Sequence, residues 1–232
     1  LVAEITSWHQ RRLGLEVLGS GWWTLWLDGE DDDVGWHWDA DYEARERGDV
    51  QHPLLGTVTY LEAGGSVAPT AVLEDCFETE LLAGKGTVVA RAHLSLPVPG
   101  KHICFDGRLL HAAPAQLRVQ CLGKSRRRKP SRTTLLVNIW QGHQPKDPRP
   151  LALAMATKLA PAVNTSPFSL GSGDPAAPLE LRVGRGTRAQ EISWQFGEDD
   201  LMSVCLPIPE TTDIKADSIA LRFVDGRYGC VG

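Results

Sequence analysis

Between residues 22 and 140 the chain is cut into short runs rich in Val, Thr, Leu and Trp. Clusters of Gly, Pro, Asp and Ser separate them. That punctuation constrains the fold more than any other feature, because runs this short fit strands and not helices. Strands are expected near 22–28, 34–39, 55–62, 67–74, 86–91, 102–106, 111–122 and 132–140. Residues 1–18 carry a loose apolar stripe of Ile5, Trp8, Leu13, Leu15 and Leu18, and read as a helix. No segment repeats with a period of 20–50 residues, which excludes solenoids and propellers. Many short strands at even spacing point to a sandwich or barrel.

After residue 150 the texture changes. Residues 151–160 read as a short helix and 161–178 as a Pro-, Gly- and Ser-rich loop. Further strands are expected near 179–184, 190–197, 202–207 and 218–224. The expected organisation is a β core with an N-terminal helical segment over 1–150, and a β-rich extension over 151–232 packed on that core.

At 232 residues, with 42% hydrophobic and 23% charged residues, the chain can bury a substantial core. The net charge of −5 gives no reason to expect general affinity for nucleic acid or anionic membranes. No apolar stretch reaches the length of a membrane-spanning helix. The five cysteines, Cys76, Cys104, Cys121, Cys205 and Cys230, are scattered and show no CxxC spacing. They read as reduced thiols, and the opening residues do not resemble a secretory leader. The expected location is therefore intracellular, cytoplasmic or nuclear. Two charge runs stand out. Asp28 to Asp33 reads as a solvated turn. Residues 124–129 (KSRRRK) read as an exposed hairpin tip or a local contact for an anionic partner, nucleic acid included.

Three segments could carry chemistry. In Trp36-His37-Trp38-Asp39, an extended chain points His37 and Asp39 to one side and the two indoles to the other. An imidazole and a carboxylate so placed can share one metal ion, and Asp41 keeps the same parity as a second candidate. His111 follows the Asp106-Gly107 turn at the start of an apolar strand. Arg132 opens the strand Arg132 to Trp140, with Thr134 on the same face. An inward Arg needs an anion, and its planar fork suits a carboxylate. The other histidines, His9, His52, His93, His102 and His143, have no motif partner and read as structural or exposed. Trp22, Trp23, Trp26, Trp36 and Trp38 form an indole-rich region that could pack the core or wall a pocket mouth.

Taken in order, H-x-D, a later His and then Arg form the pattern of a 2-His-1-carboxylate facial triad with open metal positions. The sequence here resembles the Fe(II)- and 2-oxoglutarate-dependent oxygenases, nearest the prolyl-hydroxylase-like and phytanoyl-hydroxylase-like branches. Thr57-Val58-Thr59-Tyr60-Leu61, Gly64-Gly65 and Pro69-Thr70 are similar to that family's paired strands. The run from Phe105 through Gly107 to His111, and the closing Arg132, Thr134 and Trp140, add to the likeness. It covers about residues 22–140.

The resemblance implies a double-stranded β-helix, or jelly roll, with flanking short helices. It implies Fe(II) on His37, Asp39 and His111, and 2-oxoglutarate held by Arg132 with Thr134 and Tyr60. The family consumes O2, converts 2-oxoglutarate to succinate and carbon dioxide, and most often hydroxylates a substrate C–H bond. Ascorbate is an optional reductant in such a reaction. Asp39 argues against halogenation, because family halogenases put a small residue there. The substrate, a small molecule or a protein side chain, is not specified. Three other readings stay open. One is a cupin-type metal enzyme without 2-oxoglutarate. Another is an inactive jelly-roll binding module. The third is a nucleic-acid-directed oxygenase using residues 124–129.

Overall fold

The structure is a computed structural model that describes residues 1–28, 33–117, 119–120, 131–146, 149, 177–209, 216–224 and 228–231. The N-terminal part contains α1 (Val2–Leu13), β1 (Gly19–Leu27), β2 (Val34–His37), α2 (Tyr42–Glu46), β3 (Leu55–Gly64), β4 (Ser66–Val67) and β5 (Thr70–Phe77). Next come α3 (Glu78–Leu82), β6 (Thr87–Val88), β7 (Arg91–Ser95), β8 (His102–Asp106), β9 (Leu109–Ala113), β10 (Val119–Gln120) and β11 (Ser131–Trp140). The C-terminal part holds β12 (Leu179–Val183), β13 (Ala189–Phe196), β14 (Met202–Pro209), β15 (Ser218–Phe223) and β16 (Gly229–Val231).

The protein is mainly β. One sheet runs β1-β11-β3-β8, a second β12-β15-β7-β5-β9-β2, and a third β13-β14-β16-β6, with β10 and β4 as a separate pair. All pairings are antiparallel except β12 with β15.

Alternation along β11 sorts the layers. Leu135, Val137 and Ile139 point outward and pack with Ile5 of α1. Arg132, Thr134, Asn138 and Trp140, also buried, take the opposite face. The second sheet is sorted in the same way. Ala71, Leu73, Ala92 and Leu94 pack with Trp194, Phe196, Val204 and Leu206 of the third sheet. The other face of β5 and β7, carrying Thr70 and Ser95, meets the inner face of the first sheet, because Tyr60 and Arg132 both reach across to it. The C-terminal strands thus do two things: β15 and β12 extend the second sheet, and the third sheet covers its far face.

Several element boundaries differ from the sequence expectation. The N-terminal helix stops at Leu13 and not near 18, because Gly14 adopts the left-handed conformation at φ 64°. The strand expected at 67–74 begins at Thr70. Val67 pairs instead with Val119, and Pro69, which has no N–H to donate, stands between the two pieces. The run 86–91 is split, since Val89 N–H donates to Tyr228 outside any ladder, and β7 then continues to Ser95. The expected strand 111–122 ends at Ala113, where Pro114 leads into a 3₁₀ turn. The helix expected at 151–160, the basic run 124–129, Cys121 and most of the acidic run 28–33 lie outside the described residues. No described helix is long and apolar enough to cross a membrane.

Candidate metal centre

β2 and β9 lie side by side at one edge of the second sheet, with His37 directly opposite His111. Residues opposed in an antiparallel pair project to the same face. The two rings accordingly meet, with centroids 4.3 Å apart. β2 ends at His37, yet the alternation persists for two more residues. Trp36 and Trp38 are buried against Trp194 and Phe196 of the third sheet, and Asp39 turns back to the histidine side. His37 Nε2 lies 3.7 Å from one Asp39 carboxylate oxygen, and His111 Nε2 lies 3.5 Å from the other.

Both rings are oriented by the same local device. His37 Nδ1 sits 2.8 Å from the Gly35 carbonyl, and His111 Nδ1 3.0 Å from that of Leu109. A carbonyl can only accept, so each Nδ1 carries a proton and each Nε2 is the nitrogen turned toward Asp39. One ligand atom from each of the three residues lies within 4.8 Å of the others, a group that could hold a metal ion. The Nε2 to carboxylate distances exceed those of a charge-assisted hydrogen bond, roughly 2.7–2.9 Å, and leave space between the groups for an ion. Burial lowers the His111 pKa, with His37 adding to the effect and the Asp39 carboxylate opposing it. A neutral imidazole is the form that binds metal.

Asp41, the second carboxylate candidate, does not join this cluster. It caps α2 by accepting from Ala44 N–H at 3.1 Å, and its other oxygen lies 2.7 Å from His143 Nε2. Burial alone would raise its pKa, but His143 and the backbone N–H groups of Ala44 and Glu43 outweigh burial and lower it.

His52 sits behind Asp39. Its Nδ1 lies 2.8 Å from the Asp39 carbonyl, and its Nε2 lies 3.2 Å from the buried Glu78 carboxylate, which also pairs with Arg45 at 2.6 Å. Burial works against charge on His52, but Glu78 and the Asp39 carbonyl prevail and raise its pKa. Neither His52 nor Glu78 carries a local sequence signal. The spacing of His52 from the H-x-D run is not a motif.

The inner face of the first sheet supplies a cation. Arg132 is 3% exposed. Its Nη1 donates to the Ala68 carbonyl at 2.9 Å, its Nη2 to Thr70 Oγ1 at 2.8 Å, and its Nε finds no partner among the described residues. No carboxylate among the described residues forms an ion pair with it. Tyr60, fully buried, lies beneath the guanidinium at 5.2 Å. Its hydroxyl is 2.7 Å from Thr70 Oγ1 and 3.0 Å from the Ser95 carbonyl. Thr134 is buried opposite Tyr60, but its hydroxyl turns to the Leu25 carbonyl of β1 at 3.5 Å.

Comparison with protein-family models, curated proteins and solved structures finds no match to this chain. The reading of the site therefore rests on its own geometry.

Thr70 connects the cation to the metal ligands. On β5, Val72 is the cross-strand partner of His111, and Thr70 lies two residues earlier on the same face. Thr70 is thus a diagonal neighbour of His111, a relation that spans roughly 7–8 Å. A cavity of about 320 Å³ opens on this inner face, lined among others by Thr70, Val72, Ser95 and Phe105. The Phe105 ring stands 4.9 Å from that of His111. It lies over Gly56, where a Cβ would come within 2.8 Å of it. The exposed Trp22 and Trp26 belong to β1, the opposite edge of the first sheet from β8.

The donor set can be compared with the cofactors that the family resemblance implies. Two imidazoles and one carboxylate match the facial triad of non-haem Fe(II). The buried guanidinium, with no Nε partner and no counter-anion among the described residues, suits a carboxylate-bearing cosubstrate.

Proposed function

We propose that this chain is an Fe(II)- and 2-oxoglutarate-dependent dioxygenase that hydroxylates an unactivated C–H bond of its substrate. In this reading the two facing sheets form a double-stranded β-helix core. His37, Asp39 and His111 hold iron. Arg132 binds the distal carboxylate of 2-oxoglutarate. The observation that carries the proposal is a metal-competent triad on the same inner face as a buried Arg132 that pairs with no carboxylate among the described residues, with Thr70 bonded to Arg132 and diagonal to His111.

Bound iron would supply the activation of O2 and the oxidative decarboxylation of 2-oxoglutarate to succinate. The work of this chain's own residues is placement. The Gly35 and Leu109 carbonyls fix the tautomer and aim of each imidazole. Tyr60 and Thr70 hold the guanidinium plane in place. Phe105 and Val72 present an apolar wall beside His111, which limits water there.

The test needs no substrate. Fe(II) and then 2-oxoglutarate are added anaerobically to the wild type, Asp39→Ala and Arg132→Met. The expected result is a weak visible charge-transfer band in the wild type that is absent in Asp39→Ala and weakened in Arg132→Met at equal cosubstrate. Metal binding without a band would favour a cupin-type site. No metal binding at all would favour a binding module.

A further inference from the structure

Two cysteines with no part in the proposed chemistry meet in the core. Cys76, near the end of β5, and Cys230, in β16, are both fully buried, and their Sγ atoms lie 2.7 Å apart. They stand 154 positions apart in the chain and belong to different sheets. Even two carbon atoms in optimal non-bonded contact sit roughly 3.5–4.0 Å apart, and sulfur is larger. A disulfide bond measures roughly 2.05 Å. The two backbones therefore bring the sulfurs well inside ordinary contact and close to bonding distance. We propose that Cys76 and Cys230 form a disulfide that fastens β16, and with it the third sheet, to the second sheet.

The surroundings give the bond a structural consequence. Cys230 lies opposite Val204 of β14 and Thr87 of β6 in the third sheet. The Cys76 carbonyl accepts the indole N–H of Trp38 at 3.1 Å. Trp38 immediately precedes Asp39, so the tether sits directly behind the segment that carries two of the candidate ligands.

The timing follows from access. The hydrogen bond to Cys230 and burial both push the Cys76 thiol pKa up, which suppresses the thiolate that must attack. The bond forms during folding, while the sulfurs still reach solvent. A low-molecular-weight disulfide such as oxidised glutathione is the oxidant. One cysteine thiolate attacks it, forms a mixed disulfide and releases one reduced glutathione. The second cysteine then attacks the protein sulfur of that mixed disulfide and releases the other. Two protons leave the cysteines, and two electrons pass to the glutathione disulfide.

The test is refolding of the reduced, denatured full chain in a buffer of oxidised and reduced glutathione. The product is acid-quenched, denatured, alkylated with iodoacetamide, and read by intact mass and peptide mapping. The expected product carries alkyl groups on three of the five cysteines and yields one cross-linked peptide joining Cys76 to Cys230. Its Tm falls on reduction. Cys230→Ala alkylates at all four remaining cysteines, and its Tm does not respond to reductant. Alkylation of all five cysteines in the wild type would overturn the assignment, as would a cross-link between any other pair. The mapping of the wild type stands even if the variant folds poorly.

Discussion

Arg132→Met removes a buried positive charge and keeps a long, flexible side chain in its place. In the ligand-free protein the variant loses two hydrogen bonds from a charged donor, to the Ala68 carbonyl and Thr70 Oγ1. These are worth about 1.5–3 kcal/mol each. It also loses the contact with the Tyr60 ring, up to about 2 kcal/mol when desolvated. Against this, it is relieved of the desolvation of the guanidinium, several kcal/mol even after relaxation. It is relieved too of an unpartnered buried Nε, about 1–3 kcal/mol. The two sides nearly cancel, and stability without cosubstrate should stay within about 2 kcal/mol of the wild type.

Cosubstrate binding has no such compensation. Losing a desolvated carboxylate–guanidinium contact costs about 2–5 kcal/mol, which is roughly a 30-fold to several-thousand-fold rise in Kd. The assay pairs urea unfolding of the metal-free proteins with calorimetric titration of 2-oxoglutarate into anaerobic, Fe(II)-loaded protein. The reasoning predicts similar urea midpoints and a large loss of affinity. An Arg132→Met protein destabilised by more than about 4 kcal/mol would identify Arg132 as a structural strut. An unchanged Kd would show that the anchor lies elsewhere.

Asp39→Ala should abolish metal binding measured by equilibrium dialysis, whereas Asp41→Ala should keep it and lose about 2.5–4 kcal/mol of stability through the α2 cap and the bond to His143. Equal metal loss in both would mean that the carboxylate assignment is wrong. Gly56→Ala places a Cβ 2.8 Å from the Phe105 ring and drives that ring from its seat beside His111. Overpacking of this kind costs about 1–3 kcal/mol in urea unfolding, and adding Phe105→Leu should recover part of it. Burial, with His9 adding to it, lowers the His102 pKa from 6.5 to about 4. The folded state therefore resists a proton that the unfolded chain accepts. His102 costs nothing above pH 6.5 and becomes destabilising as pH falls toward 4, by up to about 3 kcal/mol. His102→Asn should flatten the acid limb of a stability–pH curve between those values, and an unchanged limb would refute the assignment.

The strands were legible where the signal is local. β3, β8 and β11 fall nearly where alternation and turn residues place them, because period 2 is written in adjacent residues. The H-x-D spacing likewise carries its own geometry, since parity alone puts His37 and Asp39 on one side. The choice between Asp39 and Asp41 was not legible, because both keep that parity. It is decided by a helix cap at Ala44 and by His143, a hundred residues away. Thr134 shares a face with Arg132 as parity requires, yet its hydroxyl bonds within its own sheet. Side-chain rotation is not fixed by strand period. Thr70, His52 and the Cys76–Cys230 contact come together only through cross-sheet packing, for which a single sequence holds no local trace.

The candidate centre is built from constraints of two ranges. Each histidine is aimed by the carbonyl two residues before it, a device contained in three residues of chain. Bringing the two histidines together requires the register of β2 on β9, and β2 is an edge strand with one neighbour in its sheet. An edge strand of four residues is weakly held by its ladder alone. What fixes it is the other face: Trp36 and Trp38 insert against Trp194 and Phe196, and Trp38 also donates to the Cys76 carbonyl. Trp36 and Trp38 thus serve the centre from behind. The C-terminal sheet is then part of the apparatus that positions the ligands, since uncovering Trp36, Trp38, Leu73 and Leu94 would release the segment that carries His37 and Asp39.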